Sequence, residues 1–177
     1  DLVDFGGGLG SGWRQHKAAL ADLRQVRWRV VELPEVVTVG TRDFADAVLS
    51  FHESLEAAVG VGRPDAILLS SVLPYLEHPQ EPLAWAAGQG FVDVIVDRTP
   101  FVISGAERIT VQHTPPALGG GSHPCRIFSR TSFFGAWSQN YERVAEWTVP
   151  FDRIDPSVEH RGFHFRRRSD DNRRTEP

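Results

Sequence analysis

The feature that most constrains this chain is a glycine-rich stretch near its beginning, DFGGGLGSG at residues 4–12. Two apolar residues lead into it, and apolar residues at helical spacing predict a helix from Trp13 to about Arg24. A short strand, a tight glycine turn and a helix form the nucleotide-binding corner of an open α/β sheet. Glycine suits such a turn because it tolerates positive φ and lets a ligand approach the backbone. The stretch therefore predicts an α/β fold with a ligand site beside the first strand.

The spacing of the glycines separates two classes of ligand. The dinucleotide pattern G-x-G-x-x-G fails here, because Ser11 occupies the third glycine position. The pattern D-x-G-x-G-x-G fits through Asp4, Gly6, Gly8 and Gly10. A carboxylate at this place repels a pyrophosphate but suits a cationic ligand such as S-adenosylmethionine, which carries a sulfonium and an α-amino group. The alternative is a glycine-rich surface turn that binds nothing.

A second acid follows at the expected distance from the loop. Glu32 lies 24 positions after Gly8, at the end of a strand predicted from Trp28 to Glu32. The dipeptide Leu33-Pro34 then stops the strand. In nucleotide-binding α/β folds an acid near this position accepts the ribose hydroxyls, since one carboxylate pairs well with two vicinal O–H donors. The alternative is an ordinary solvated acid at a strand end.

Three further strands are predicted, and the residues that follow them are candidates for the same edge of the sheet: Leu49–Phe51, Asp65–Ser70 and Phe91–Asp97. After the first of these strands, His52 or Glu53 is placed near an adenine ring, or Ser54 simply caps a helix. Ser70 and Ser71 begin the exit loop of the next strand.

Two polar positions beyond these strands are ambiguous. Tyr75 can stack on a ring or donate a hydrogen bond, but a packing role is equally compatible with the sequence. Asp97 with Arg98 is either a substrate-positioning site at the end of the fifth strand or a local ion pair. A short helix is predicted between them, from Gln80 to Gly88.

The alternation of strands and helices stops after the fifth strand. The rest is predicted to comprise an extended segment, a Gly/Pro-rich loop that acts as a lid, a helix, and two strands that form an antiparallel edge: Arg108–His113, Pro115–Pro124, Thr131–Asn140, Glu142–Val149 and His160–Phe165. Residues 167–177 are predicted to be a disordered charged tail, which leaves residues 1–166 as one domain.

Composition excludes several classes of function. A net charge of −4 gives no general affinity for nucleic acid. One cysteine fits a reducing, cytoplasmic compartment, and no apolar run has the length of a membrane span. No histidine–carboxylate spacing predicts a metal site. The chain contains no methionine, even at position 1, so we expect it to be a fragment whose upstream residues are missing.

Taken in order, these features resemble a class I S-adenosylmethionine-dependent methyltransferase. More narrowly, five strings are similar to those of a group of bacterial methyltransferases whose substrate is unassigned: DFGGGLGS at 4–11, FHESL at 51–55, VLPYL at 72–76, DRTPF at 97–101 and VQHTPP at 111–116. The likeness runs from Leu2 to about Arg166.

The resemblance implies a Rossmann-like doubly wound sheet of seven strands in the order 3-2-1-4-5-7-6, with strand 7 antiparallel. It implies Asp4, Gly6 and Gly8 around the methionyl part of the cofactor, and Glu32 on the ribose. It implies Ser70 or Ser71 near the sulfonium. Members of the family usually carry helices upstream of the first strand, and this chain lacks them.

The function expected from this resemblance is methyl transfer from S-adenosylmethionine to a small-molecule or glycan acceptor, at oxygen. Aligning the reactants is the main task of the protein. A base is also needed, for which His113, Asp97 and Tyr75 are the catalytic candidates, with His52 and His78 as further choices.

Two other functions stay open. One is a non-catalytic nucleotide-binding or partner-binding domain. The other is an NAD(P)-dependent oxidoreductase, which the absent third glycine and the absent Tyr-x-x-x-Lys pair disfavour. A G-x-S-x-G elbow is also absent, which disfavours a hydrolase. The oligomeric state is open, with a dimer as one expectation.

Overall fold

The structure is a computed structural model that describes residues 1–60, 62–135, 138–150 and 155–168. Nine strands are present in these residues: β1 (Leu2–Phe5), β2 (Trp28–Val31), β3 (Leu49–His52), β4 (Ala66–Ser70), β5 (Asp93–Val102), β6 (Arg108–His113), β7 (Ser122–Ile127), β8 (Tyr141–Thr148) and β9 (Val158–Arg167). Five α-helices accompany them: α1 (Ser11–His16), α2 (Pro34–Asp43), α3 (Leu55–Val59), α4 (Gln80–Gln89) and α5 (Arg130–Gly135).

Seven of the strands form one sheet in the order β3-β2-β1-β4-β5-β9-β8. The pairs β1–β2, β1–β4 and β2–β3 are parallel, whereas β8 and β9 are antiparallel. Since β8 and β9 are the sixth and seventh strands of this sheet in chain order, the predicted order 3-2-1-4-5-7-6 is confirmed. The remaining two strands, β6 and β7, form a separate antiparallel hairpin.

The chain forms two compact units, the first from residues 1–70 with 91–95 and the second from residues 71–90 with 96–177. In the first unit the central strands are mostly apolar, as expected for parallel strands covered on both faces, and Asp4 and Arg29 are the charged residues of β1 and β2. Trp28, Val30, Leu49 and Phe51 form one core cluster of this unit. Trp13 from α1 packs against that cluster together with side chains of α2 and its flanks.

A buried arginine links β2 to the loop that follows α3. Arg29 is 2 % exposed and donates hydrogen bonds to the backbone oxygens of Ala58 and Gly62. It also forms an ion pair with the carboxylate of Asp1. A buried guanidinium is tolerated only when its donors are satisfied, and these partners satisfy them.

The second unit is built around phenyl rings. The ring centroid of Phe101 on β5 lies 5.2 Å from that of Phe133 on α5 and 5.5 Å from that of Phe163 on β9, and both pairs are edge to face. Phe128 completes the cluster at 6.0 Å from Phe101. Edge-to-face pairs gain energy beyond the burial of their area, so this cluster fixes how α5 packs on the strands of the unit.

The first helix is shorter than predicted. The sequence predicts a helix from Trp13 to Arg24, but α1 ends at His16 and turns follow to Arg24. Residues 17–19 and 21–25 are exposed, and Leu20, which lies between these two ranges, is half-buried. Short helices depend on tertiary packing for their stability, so this segment has too few buried contacts to extend the helix.

The predicted end of the Gly/Pro-rich loop is wrong, and its role as a lid stays a prediction. The segment Pro115–Pro124 is not one long loop, because β7 begins at Ser122 and pairs with β6. Gly119, Gly120 and Gly121 all have positive φ and provide the turn between the two strands. Pro124 lies opposite Val111 in a two-stranded sheet, where an edge position tolerates the missing N–H.

Smaller differences concern the ends of elements. The fifth strand runs to Val102, so Asp97 lies inside it and not at its end. The helix predicted at Thr131–Asn140 is α5 followed by a short 3-10 turn at Ser138–Asn140, and Trp137 lies outside the described residues. Strand β9 includes Arg167, the first residue of the predicted tail, and residues 169–177 lie outside the described part.

Candidate functional site

The glycine loop between β1 and α1 is a chain of tight backbone turns. Gly6 donates its N–H to the backbone oxygen of Val31 at 2.9 Å, which ties the loop to the end of β2. Gly10 donates to the oxygen of Gly7 at 3.1 Å and begins α1. Gly6, Gly8 and Gly10 all have positive φ, between 58° and 79°. The predicted turn is therefore present.

The glycines differ in what surrounds them. A Cβ at Gly7 would lie 2.6 Å from the carboxyl group of Asp4, and one at Gly12 would lie 2.9 Å from the same group. By contrast, a Cβ at Gly8 would meet nothing within 4 Å, although its φ of +58° still favours glycine. Gly7 and Gly12 thus make room for Asp4, whereas Gly8 faces open space in which a ligand can approach the backbone.

Asp4 lies beneath this loop and is 3 % exposed. Its Oδ2 accepts a hydrogen bond from Nε1 of Trp28 at 2.9 Å. Burial raises the pKa of Asp4 to about 6, and the charge of Glu32 adds to the rise, while the Trp28 hydrogen bond and His16 oppose it. A nearby positive charge would favour the ionised carboxylate. Asp4 is therefore suited to stabilise a cationic group on the loop.

Glu32 holds the other side of the loop. One carboxylate oxygen accepts the N–H of Gly8 at 3.0 Å, and the other accepts the N–H of Leu33 at 3.0 Å. These bonds fix the rotamer of a half-buried acid, and each oxygen retains a second lone pair. The register of β1 and β2 places Phe5 beside Val31, so Asp4 and Glu32 meet at one edge of the sheet.

The end of β3 lies next along this edge. His52 pairs with Val31 across the strands and contacts Oγ of Ser50 through Nε2 at 2.9 Å. Burial, followed by the charge of Arg29, lowers the pKa of His52. Glu53 follows it and is exposed. Ser54 accepts the N–H of Ala57 at 3.1 Å, so the alternative of a helix N-cap is confirmed for Ser54.

The serine pair after β4 is divided between the two units. Ser70 ends β4 in the first unit, where Leu68 of the same strand pairs with Asp4. Ser71 belongs to the second unit and has a φ of 56°, while its N–H donates to the backbone oxygen of Asp97 at 3.0 Å. Arg98 also has a positive φ, of 52°. Two non-glycine residues in this conformation are typical of a strained functional segment.

The second unit holds the three residues predicted to be catalytic. Tyr75 is 46 % exposed, donates its hydroxyl to Oε1 of Gln112 at 3.0 Å, and has its ring 5.0 Å from that of His123. His113 is exposed and follows Gln112 in β6, so its side chain projects from the opposite face of the hairpin. Asp97 accepts a hydrogen bond from Nε1 of Trp147 at 2.9 Å.

Four partner residues escaped the sequence analysis: Trp28, Gln112, His123 and Trp147. Each of them touches a candidate residue that lies between 24 and 50 positions away in the chain. Their contacts with the candidate residues are formed only on folding; Gln112 lies in the string VQHTPP, but that string does not report its contact with Tyr75. His78, the remaining candidate base, is exposed, and its charged neighbour is Glu77 at 3.9 Å.

Two features are not found among the residues that the structure describes. No group of three or more His, Cys, Asp or Glu side chains is arranged there to hold a metal ion. None of the described helices is both long and apolar enough to cross a membrane.

Comparison with known proteins gives a result at the level of structure. No family model matches this chain, and no curated protein matches it. Solved structures do match. The N-terminal domain of EvdMO1, determined in the presence of SAH and D-fucose, is 18 % identical with a TM-score of 0.60, over 94 % of this chain and 76 % of that chain.

Two further solved structures agree. The glycopeptide N-methyltransferase MtfA, complexed with SAM, is 11 % identical with a TM-score of 0.61, over 95 % of this chain and 81 % of that chain. The Burkholderia thailandensis 1,6-didemethyltoxoflavin-N1-methyltransferase is 15 % identical with a TM-score of 0.55, over 95 % of this chain and 71 % of that chain. This chain therefore has the Rossmann-like fold of these methyltransferase structures.

Proposed function

We propose that this protein binds S-adenosylmethionine at the glycine loop and transfers its methyl group to a small-molecule or glycan acceptor, at oxygen. The observation that carries the proposal is the carboxylate of Glu32, which bridges the N–H groups of Gly8 and Leu33. It fixes an acceptor of two hydroxyls beside a loop that has Asp4 beneath it. The solved structures of the same fold contain SAM or SAH, which supports this choice of ligand.

The residues of the first unit fit the parts of such a ligand. The two oxygens of Glu32 suit vicinal ribose hydroxyls, and the open side of Gly8 leaves space for a close approach to the backbone. Asp4 supplies negative charge for an α-amino group. Glu53 follows β3, which pairs with β2, the strand that precedes Glu32, and we assign it to the adenosine end.

Bound S-adenosylmethionine supplies an already activated methyl carbon. The protein then has to align an acceptor oxygen with that carbon and to receive a proton. In that reaction the bond between the sulfonium sulfur and the methyl carbon would break, S-adenosylhomocysteine would be the leaving group, and the acceptor oxygen would exchange its proton for the methyl group. We assign this proton to Asp97, since Trp147 holds its carboxylate in one orientation. Tyr75 and His113 are the other candidates for this role.

Calorimetric titration with S-adenosylhomocysteine tests the cofactor site. We expect Glu32→Gln to weaken binding by about 10-fold or more, because a hydrogen bond to a charged group contributes roughly 1.5–3 kcal/mol. Glu35→Gln is the matched control, since Glu35 is an exposed acid on α2, and it should leave the affinity unchanged. Binding of NAD in place of S-adenosylhomocysteine would favour an oxidoreductase and would overturn the proposal.

A transfer assay tests the chemistry separately. Labelled S-adenosylmethionine is incubated with the protein and a panel of sugars, glycosides and phenols, and labelled products are counted. Labelled product that depends on Asp97 supports methyl transfer. If S-adenosylhomocysteine binds and no member of the panel is methylated, the protein is a cofactor-binding domain and the catalytic part of the proposal fails.

A further inference from the structure

The indole of Trp147 lies across the strand next to its own. Trp147 on β8 pairs with Gly162 on β9. A Cβ at Gly162 would lie 2.1 Å from Cε2, 2.3 Å from Cζ2 and 2.3 Å from Nε1 of this indole. The flat ring therefore occupies the space that any other residue at position 162 would fill, which makes Gly162 a requirement for this rotamer.

From this position the indole reaches a third strand. Strand β9 lies between β8 and β5 in the sheet, and Nε1 of Trp147 donates to Oδ1 of Asp97 on β5 at 2.9 Å. The polar edge of the ring is thereby satisfied and its orientation is fixed. Trp147 is nevertheless 36 % exposed, so part of a large apolar ring faces solvent beside a carboxylate.

The side chains on the opposite face of β9 are the ones that pack in the core of the unit. Side chains alternate along a strand, so Phe163 and Phe165 project away from the face that carries Gly162. Both phenylalanines are buried, at 0 % and 2 % exposure, and contact Phe134 of α5. Because the core of the unit is built on that face, the exposed indole on the other face adds little to it.

A fixed indole beside a carboxylate matches one class of small molecule. The face of an aromatic ring is electron-rich and attracts C–H groups that carry partial positive charge. A carboxylate accepts hydrogen bonds from hydroxyl groups. A pyranose ring offers both features, since axial C–H groups cover its faces and hydroxyls project from its rim.

We propose that Trp147 and Asp97 form the binding platform for a sugar ring of the methyl acceptor, with Gly162 providing the space for the indole. The inference rests on the proposed function and narrows its acceptor to a glycoside. Trp147 stacks on the sugar ring, and the carboxylate of Asp97 accepts a hydrogen bond from one of the sugar hydroxyls.

Saturation-transfer NMR on the full chain tests the platform. The probes are the methyl glycosides of glucose, galactose, mannose, fucose and rhamnose, each titrated to determine its affinity. We expect the wild type to bind at least one of them. Trp147→Ala and Gly162→Ala should each weaken that binding by about 10-fold or more, because the first removes the ring and the second displaces it.

Gly88→Ala is the matched control. Gly88 lies on α4 in the same unit, and a Cβ there would meet nothing within 4 Å. The Gly88→Ala variant should therefore bind the glycoside with the affinity of the wild type. Circular dichroism and calorimetric binding of S-adenosylhomocysteine are recorded for every variant. Both should be unchanged in Gly162→Ala, because the glycine loop belongs to the first unit.

The outcomes separate the two proposals. If S-adenosylhomocysteine binds and none of the five glycosides does, the platform is overturned while the proposed cofactor site stands. The same conclusion holds if Gly162→Ala leaves the affinity for the bound glycoside unchanged. If a glycoside binds through Trp147 and S-adenosylhomocysteine does not bind, the proposed function fails and the platform remains as a sugar site. Should Trp147→Ala unfold the chain, Trp147→Phe gives the same test with the ring stack reduced.

Discussion

The two units of this protein bury different chemistry. The first unit buries two charged side chains among its described residues, Asp4 and Arg29, at 3 % and 2 % exposure. The second unit buries phenyl rings at its centre, with Phe101 at 0 % and Phe128 at 1 % exposure. Removing charges from water costs free energy, whereas removing phenyl rings from water is favourable.

This difference contrasts the surroundings of Asp4 in the first unit with the phenyl cluster of the second unit. Arg29 has three oxygen acceptors around it, so its burial is compensated within the protein. Burial raises the pKa of Asp4 and the negative charge of Glu32 adds to the rise, and the hydrogen bond from Trp28 compensates only part of it. A cationic ligand on the loop would remove that cost. The first unit therefore stores unfavourable electrostatic energy at the place where we propose that a cation binds.

The largest effect on stability is expected in the phenyl cluster of the second unit. Phe101→Ala should lower the free energy of unfolding by about 3–5 kcal/mol, because it opens a cavity among three aromatic neighbours. Urea denaturation followed by fluorescence measures this change. Val144→Ala is the control, since Val144 is 49 % exposed and its loss should cost less than about 0.5 kcal/mol. Equal effects of the two substitutions would contradict the assignment of the phenyl cluster as the core.

The next effect concerns the electrostatic cost at Asp4. A carboxyl group whose pKa is raised from 3.8 to about 6 in the folded state stabilises the fold when protonated. That stability is fully present below about pH 4 and is lost as the pH rises through about 6. Two pKa units correspond to about 3 kcal/mol. The contribution of Asp4 to the free energy of unfolding should therefore fall over this range by up to about that amount.

Asp4→Asn tests this expectation, because the amide keeps an oxygen for the Trp28 donor and does not titrate. The stability of Asp4→Asn relative to the wild type should increase from pH 4 to pH 7, as measured by urea denaturation at each pH. Asp22→Asn is the control, since Asp22 is exposed and its substitution should leave the pH profile unchanged. A constant difference between Asp4→Asn and the wild type would show that Asp4 does not titrate in this range.

The sequence predicted the first unit better than the second for a physical reason. The glycine loop, Asp4 and Glu32 belong to adjacent parallel strands whose ends must meet, so a fixed spacing of 24 positions reports their contact. The seven-strand order followed from the family resemblance and is confirmed. The extent of α1 was not predictable from apolar spacing, because the surface beneath residues 17–24 offers too little to pack against.

The contacts of Tyr75 and Asp97 in the second unit are formed with side chains far apart in sequence. Trp147 lies 50 positions from Asp97, and Gln112 lies 37 positions from Tyr75. Their contacts depend on the path of β9 between β5 and β8 and on the pairing of β6 with β7, which no local pattern encodes. The hairpin itself was missed since the glycines and prolines of 115–124 also fit a loop.

The smallest expected effect lies in that hairpin. The hydroxyl of Tyr75 donates to Gln112 at a half-exposed position, and such a bond contributes about 0.5–1.5 kcal/mol. A double-mutant cycle of Tyr75→Phe and Gln112→Ala should give a coupling energy near the lower end of that range, measured by urea denaturation. Tyr75→Phe keeps the ring against His123, so the cycle isolates the hydroxyl.

The control for this cycle uses the other face of the hairpin. Tyr75→Phe combined with His113→Ala should give no coupling, since His113 projects from the face opposite Gln112. If instead Tyr75 couples to His113 and not to Gln112, the hairpin pairs in another register and His113 returns as a partner of Tyr75. A coupling only to Gln112 would mean that the Tyr75 hydroxyl stabilises the hairpin through Gln112, in addition to the contact of the Tyr75 ring with His123.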